Sequence, residues 1–249
     1  MPYNYNFFKH LKIGGRVLND PTYIKTKDLI KKEIIKNPKR TEILNYLLQF
    51  LNRETKYLEI GTRNTEDNFN HIKSAIKYSV DPGIEYSDPN IDFKMTSDQF
   101  FEQLEAGTLL TKEEKFDVIF IDGLHLAEQV EKDIKNALKF VKEDGFIVLH
   151  DCNPPTEWHA RESYYYKHTP AAGYWNGTTW KAFQKVRYNP SLFSCCIDTD
   201  WGVGILSKKH PVGKSILPNN PFYEYAVFDK NRKVNLNLMG FEDFKKMLQ

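Results

Sequence analysis

The sequence predicts an α/β fold built on a mostly parallel sheet, with five parallel strands followed by a hairpin. Three observations carry this. Two short apolar runs, Val118–Ile121 and Phe146–Leu149, flank a helical pattern. Upstream, Lys56–Ile60 reads as a strand that opens into a glycine-containing turn. Downstream, Leu192–Ile197 and Gly202–Leu206 stand at hairpin spacing.

The central pair is rich in β-branched and aromatic residues, as strands buried on both faces are. Between the two runs, Ala127, Val130, Ile134, Ala137, Leu138 and Val141 recur at three- and four-residue steps, with Glu128, Glu131, Lys132 and Lys135 on the other side. Asp144-Gly145 is expected to stop this helix. A strand–helix–strand crossover makes the two strands parallel and the connection right-handed. Polar residues then cluster where the strands end: Asp122 and His125 after the first, His150, Asp151 and Asn153 after the second. In open α/β sheets ligands bind at that edge.

Composition bounds the function. The 249 residues suffice for a full core. With 41% hydrophobic and 27% charged residues the chain reads as a globular protein, and a net charge of +2 gives no nucleic-acid footprint. No apolar run approaches the ~20 residues that span a bilayer, and Met1–His10 lacks the apolar core of a signal peptide. Cys152, Cys195 and Cys196 form neither a disulfide framework nor a metal spacing, so a cytoplasmic location is the default.

Taken in order, Gly14-Gly15 and Asp20-Pro21 break any pattern in residues 1–25, where Tyr3, Tyr5, Phe7 and Phe8 suit an arm laid on the body or on a partner copy in a homo-oligomer. Lys27–Lys36 is expected to be helical. Asn37-Pro38 reads as an N-cap with proline at the first position of a helix whose apolar face is Ile43, Leu44, Leu47, Leu48 and Leu51. After the first strand a helix is expected over Asp67–Lys77, then a strand at Tyr78–Val80 and a third at Phe93–Met95. Thr96-Ser97-Asp98 caps a helix to Ala106 with Phe100, Phe101 and Leu104 inward. Beyond Asn153, Pro154-Pro155 and many aromatic residues mark an irregular segment, and helix returns at Thr178–Arg187. Residues 208–249 read as a polar tail with a helix at Glu242–Leu248. The division expected is a helical extension at 1–54 covering the sheet or a cofactor, a core at 55–208 containing an aromatic segment at 152–190, and a C-terminal tail at 209–249 packed on the core.

The turn Glu59-Ile60-Gly61-Thr62-Arg63-Asn64 lets the backbone approach a ligand closely. Arg63 and Glu66 stand where a dinucleotide fingerprint would place further glycines, which argues against NAD or FAD. Asp81 closes the second strand 22 residues after Glu59, where a carboxylate can accept both ribose hydroxyls. A plain Asp-Pro-Gly turn would explain Asp81 alone; with Gly61 in a βαβ setting, the pair favours an adenosine ligand.

Glu59-Ile-Gly-Thr, Asp81, Met95-Thr-Ser-Asp-Gln-Phe-Phe, Phe116-Asp-Val-Ile-Phe-Ile-Asp-Gly-Leu-His and Ile147-Val-Leu-His-Asp together resemble the class I S-adenosylmethionine-dependent methyltransferases, and more narrowly the family found in bacterial polysaccharide and natural-product biosynthesis clusters. Trp175-Asn-Gly-Thr-Thr-Trp-Lys-Ala-Phe and Asp198-Thr-Asp-Trp-Gly-Val-Gly-Ile resemble the same group. The resemblance spans residues 55–208 and implies a Rossmann-like, seven-stranded sheet whose last strand is antiparallel. It implies S-adenosyl-L-methionine as cofactor, with Glu59 and Gly61 along its methionine and ribose, Asp81 on the ribose hydroxyls, Ser97 and Asp98 at the adenine, and Asp122 near the amino-acid end or the acceptor; Thr62 and Arg63 belong to the same cofactor loop but depart from the family pattern, standing where it has further glycines. Arg63 either pairs with the cofactor carboxylate or forms a surface salt bridge. Relatives that hold Mg²⁺ do so at these strand ends, which nominates Asp122 and Asp151 as metal ligands, although His150 replaces an acid there and an imidazole suits Mg²⁺ poorly.

Methyl transfer to a hydroxyl needs alignment and a base, and His125 or His150, with Asp122, can supply the proton acceptor. The aromatic segment suits a flat sugar face, and equally suits a loop pinned to the core. His159, Arg161 and His168 are candidates to meet a nucleotide-sugar phosphate, or are solvated surface groups; Asp200 and Trp201 read as hairpin residues. The expected activity is O-methylation of a sugar or glycosylated small molecule (EC 2.1.1 class). Two rivals remain at this stage: a metal-dependent hydrolase using Asp122, His125, His150 and Asp151, and a non-catalytic adenosine-binding domain in a biosynthetic assembly.

Overall fold

The structure, a computed structural model, describes residues 3–86 and 88–249, with side chains from Phe7 onward. Its elements run α1 (Tyr3–Leu18), α2 (Pro21–Ile34), α3 (Arg40–Phe50), β1 (Lys56–Ile60), β2 (Ile76–Val80), α4 (Ser97–Ala106), β3 (Phe116–Ile121), α5 (Ala127–Phe140), β4 (Val141–Leu149), α6 (Thr179–Val186), β5 (Phe193–Ile197), β6 (Val203–Ser207), α7 (Tyr225–Lys230), α8 (Arg232–Leu236), β7 (Leu238–Met239) and α9 (Phe241–Leu248). The seven strands form one sheet in the order β2-β1-β3-β4-β6-β5-β7. Strands β1 to β4 are parallel, β6 runs antiparallel between β4 and β5, and β5 and β7 restore the first direction. The Rossmann-like class read from the sequence is therefore present, with the hairpin inserted where its antiparallel strand was expected.

Burial on both faces explains the composition of the central strands. Every residue of β3 is buried. On one face Leu58, Ile60, Ile119, Ile121, Ile147 and Leu149 meet α4, α5 and α6. On the other, Tyr57, Val118, Phe120, Phe146 and Val148 meet α3 and α9. The face of α3 is the one expected, through Ile43, Leu44, Leu47 and Leu48. At about 25 cal/mol per Å² of apolar surface, these two layers supply the main drive to fold.

Several local expectations are corrected. Gly14-Gly15 does not break α1, since a glycine pair costs a helix only ~1 kcal/mol each and does not forbid it. Asp20-Pro21 starts α2, with Asp20 Oδ1 accepting from the amides of Thr22 and Tyr23. Lys39, not Asn37, caps α3, and Glu42 accepts from the Lys39 amide. The helix expected over Asp67–Lys77 is two 3₁₀ turns, Thr65–Asp67 and Phe69–His71. Side chains there take the bonds a helical ladder would use: Asn64 Oδ1 accepts from the Glu66 amide, and Asp88 Oδ2 accepts from both the amide and the Oγ1 of Thr65. The third strand shrinks to one parallel bridge between Val80 and Phe93, because the chain turns back there, the Met95 amide donating to the Phe93 carbonyl at 3.0 Å. Helix α5 ends at Phe140, before Asp144-Gly145, and a register shift opposite Phe116 and Val118 absorbs the irregular start of β4. The C-terminal stretch is more than a polar tail: Phe228, Leu236 and Phe244 are fully buried, and β7 extends the sheet edge.

Candidate functional site

The parallel strands deliver their C-terminal ends to one edge. There β1 enters the turn at Gly61 (φ 83°). The Gly61 amide donates to the Val80 carbonyl at 2.8 Å and the Asp122 amide to the Ile60 carbonyl at 2.8 Å. A Cβ on Gly61 would overlap Gly123 and the Asp122 carbonyl, so the loops after β1 and β3 touch backbone to backbone. Asp81 braces this turn, its Oδ2 accepting from the Arg63 amide at 3.0 Å and its Oδ1 from the Gly83 amide at 2.7 Å. Arg63 takes a left-handed backbone (φ 50°) and its side chain pairs with Asp67 at 2.6 Å. Thr62 is buried behind the turn.

Glu59 faces inward. Its Oε2 accepts from Tyr57 Oη at 2.6 Å and Asn68 Nδ2 at 2.7 Å, while burial raises its pKa to about 7. Ser97 and Asp98 open α4 and share Gln129 Nε2, at 3.1 and 2.9 Å. Asp98 also lines an outer groove of about 630 Å³ between α4 and α5, which is walled by charges of both signs and is separate from the histidines.

The histidines and acids of the central crossover converge. His125 Nε2 lies 3.3 Å from Asp122 Oδ1, and its Nδ1 lies 3.0 Å from Asp151 Oδ2 and 3.2 Å from the Trp175 carbonyl. His150 Nδ1 lies 3.2 Å from the same Asp122 oxygen and its Nε2 3.5 Å from Asp200 Oδ2. Arg40, first residue of α3, reaches in from the N-terminal side: its Nη1 is 3.3 Å from Asp200 Oδ2 and its Nε 3.7 Å from Asp122 Oδ2. Asn176 Nδ2 donates to Asp151 Oδ1 at 2.7 Å. Asp151 and Asp200 both hold left-handed backbones (φ 59° and 45°), strain of a kind that clusters at functional sites.

Burial alone would neutralise these groups, yet their mutual charges win. Burial pushes the His125 pKa down, but Asp151 and Asp122 outweigh it and raise the value to about 9. His150 is likewise held well above the usual histidine range by Asp122 and Asp151 despite its burial. Burial would raise Asp122, and His150, His125 and Arg40 hold it well below the usual carboxylate range instead. Asp200 is held low by His150 and Arg40. At neutral pH the cluster is thus an ionised network, with both imidazoles protonated before any ligand arrives.

Asp122, His125, His150 and Asp151 were legible as candidates, while Arg40, Asn176 and Asp200 were not. Asp200 and Asn176 sit in stretches already notable for their family resemblance, which was the available signal. Arg40 gave none. It is placed by a bolt between the α2–α3 connection and the β5–β6 turn: the Trp201 amide donates to Glu33 at 2.9 Å, Lys36 pairs with Asp198 at 2.7 Å, and Thr199 Oγ1 donates to the Pro38 carbonyl at 2.8 Å.

The aromatic segment divides its duties. Trp175 stacks on His125, with ring centroids 5.2 Å apart, and the Thr178 amide donates to the His125 carbonyl at 2.7 Å, so the segment holds the histidine in place. Arg161 donates to the carbonyls of Trp158, Tyr174 and Ala172 and pins the loop. His159 is fully buried against Thr156 and Trp201, and burial with the Arg161 charge pushes its pKa down to about 4. Neither is placed to meet a phosphate; His168 remains exposed. Tyr165 and Tyr166 are open to solvent at 88% and 70%, and Tyr164 links Tyr165 to Trp175 with ring centroids 6.3 and 5.5 Å apart.

Asp122, His125 and Asp151 each bring a potential ligand atom to within 4.8 Å of one another. The set does not fit Mg²⁺, which wants an oxygen shell with several waters. One donor is an imidazole, and the two carboxylates are already engaged by Arg40, His150 and Asn176. The residues around Asp122 and Asp151 therefore do not fit the Mg²⁺ expected there.

Residues 45–152 match the family model of a methyltransferase domain. Among solved structures, the chain is similar to the O-methyltransferase from Bacillus cereus in complex with SAH (15% identity, 80% of this chain and 96% of that one, TM-score 0.45). It is also similar to SAH-bound methyltransferase PaMTH1 from Podospora anserina (14%, 83% and 97%, 0.41) and to O-methyltransferase TomG from Streptomyces achromogenes in complex with SAM (12%, 77% and 91%, 0.40). No curated protein sequence matches the chain. With TM-scores below 0.5, the fold rests on the observed strand order, and the chemistry on the cluster.

Proposed function

We propose that the chain is an S-adenosylmethionine-dependent methyltransferase acting on a hydroxyl of a sugar or glycosylated small molecule. One observation carries the reading: the Gly61–Asp81 turn and the ionised Asp122/His125/His150 network meet backbone to backbone at one sheet edge. In this reading Asp81 takes the ribose hydroxyls, Ser97 and Asp98 flank the adenine, and Gly61, Thr62 and the Arg63 backbone shape the turn above the Glu59 floor. Asp122 sits between the cofactor and the acceptor.

S-Adenosylmethionine, when bound, supplies an already electrophilic methyl group, so the protein has only to align an oxygen and remove its proton. His125 or His150 takes that proton after losing its own. Asp122 and Asp151 orient both rings and stabilise the imidazolium that re-forms. Trp175 and Asn176 fix His125 and Asp151 from above. The exposed tyrosines offer the acceptor its flat, hydrogen-bonding surface.

A consequence follows for pH. Because the carboxylates raise the His125 pKa to about 9, the deprotonated base is scarce at neutral pH. Turnover is expected to climb about tenfold per pH unit from pH 6.5 and to level off near 9. A profile already flat above pH 7 would remove the histidines as the base.

Binding is tested by calorimetry with S-adenosylhomocysteine. The wild type is expected to bind and Asp81→Ala to bind at least about tenfold more weakly, the loss of one charge-assisted hydrogen-bonding group. No binding by the wild type, or equal binding by the variant, counts against the proposal.

A further inference from the structure

Helix α1 contributes no residue to the histidine cluster or to the turn at Gly61. From Phe7 to Leu18 none of its side chains is buried. A lone helix of this length that contains a glycine pair is marginal in water, so the segment is built to rest on something. Phe7, Leu11, Gly14 and Leu18 fall at i, i+4, i+7 and i+11, one apolar stripe flanked by Phe8. The exposures of Phe7, Phe8, Leu11 and Leu18 are 59%, 70%, 57% and 59%. Lys9, Lys12 and Arg16 fall at i, i+3 and i+7 on the opposite side. The first 19 residues contain no aspartate or glutamate at all. Among the described residues no helix is long and apolar enough to cross a membrane.

We propose that α1 docks the protein on a bilayer surface carrying anionic phospholipids. An apolar stripe with phenylalanines, opposed by a side whose only charges are basic and on which Ile13 is also exposed, is the pattern of a helix lying in the interface: the rings enter the acyl boundary while the lysine and arginine stems reach up to the phosphates. Charge decides between this partner and a second copy of the chain. A second α1 laid stripe to stripe would leave these cations on its outer side with no acid to answer them, whereas lipid phosphates neutralise every one. The adjoining exposed face of α2 carries Lys25 and Lys32 with one acid, Asp28, between them, and so remains basic on balance.

The test is co-sedimentation of the full chain with vesicles of phosphatidylcholine alone, and with vesicles in which part of it is replaced by phosphatidylglycerol. Partition onto the anionic vesicles is expected to exceed that onto neutral ones by about tenfold or more and to fall with added salt. The triple variant Lys9→Glu, Lys12→Glu, Arg16→Glu is expected to lose that excess, and Phe7→Ser with Leu11→Ser to lose binding to both. All of these positions are exposed and distant in sequence from the cluster, so methyl transfer in vesicle-free buffer should be unchanged; it also reports that the variants are folded. Absence of binding by the wild type, or equal partition onto neutral and anionic vesicles, overturns the proposal. So does a wild-type dimer in sedimentation velocity that Phe8→Ser converts to monomer without any vesicle binding, an outcome that assigns α1 to a second copy.

Discussion

Replacing Asp122 by asparagine is expected to lower turnover by about 10³-fold, within the range for disabling a positioned proton-transfer group. Asp122 Oδ1 faces both imidazoles, at 3.3 Å from His125 and 3.2 Å from His150, and its other oxygen faces Arg40 at 3.7 Å. A neutral amide keeps the shape and removes the charge that holds both rings. The pH profile should move with the rate. Without one of the carboxylates that raise it, the His125 pKa falls from about 9 toward the ordinary histidine value near 6.5. The rising limb therefore shifts to lower pH even as the plateau drops. Steady-state kinetics from pH 6 to 10 on both proteins measure the two effects together. A lowered plateau with an unmoved limb would mean that Asp122 does not face the base.

Asp117→Ala is expected to cost stability and spare the chemistry. Asp117 begins β3 at the end opposite Asp122 and is fully buried. Its carboxylate receives Arg53 Nη2 at 2.7 Å, Lys142 Nζ at 2.8 Å and the Lys56 amide at 2.8 Å, so it ties β1, β3 and β4 together at their irregular ends. Truncating one partner of such an arrangement leaves cations and an amide facing an emptied site, which costs about 3 kcal/mol, the low end of the usual range because Arg53 and Lys142 are about one-third exposed. For a chain of this size that lowers the melting temperature by roughly 6–12 °C. Urea unfolding gives the free energy directly. Turnover per folded molecule should match the wild type. A variant as stable as the wild type would show that the pairs contribute nothing net.

What could be read in advance follows the range of the interactions. The 116–149 crossover was legible because its apolar runs and helical spacing are local, and its polar strand ends fall at one edge by topology alone. The hairpin at 192–206 was legible for the same reason, as was the face of α3. The bridge at Val80–Phe93 does not extend into a strand, and nothing in the composition of Phe93–Met95 announces that the Met95 amide will turn back to the Phe93 carbonyl. The helix expected over Asp67–Lys77 gives way to 3₁₀ turns because side chains take its opening amides, Asn64 that of Glu66 and Asp88 that of Thr65.

Within the site, the contacts of Arg40 with Asp200 join positions 160 residues apart through a turn-to-turn bolt. No periodicity encodes such a meeting. The direction of the histidine shifts was equally hidden. Two histidines beside two acids suggest a base near neutrality, and only the packing of Asp122, Asp151 and Asp200 around them reveals imidazoles held protonated. The inward turn of Glu59 also depends on Asn68, whose position follows from the 3₁₀ turns that the sequence did not disclose.

The claim on which the rest depends is that Asp81 and the Asp122 network serve one bound ligand. A crystal structure of the chain with S-adenosylhomocysteine tests it most directly. The account predicts the ribose hydroxyls on Asp81 and the thioether sulfur turned toward Asp122, His125 and His150. A nucleoside bound elsewhere, or one at Asp81 whose sulfur points away from the histidines, would contradict it.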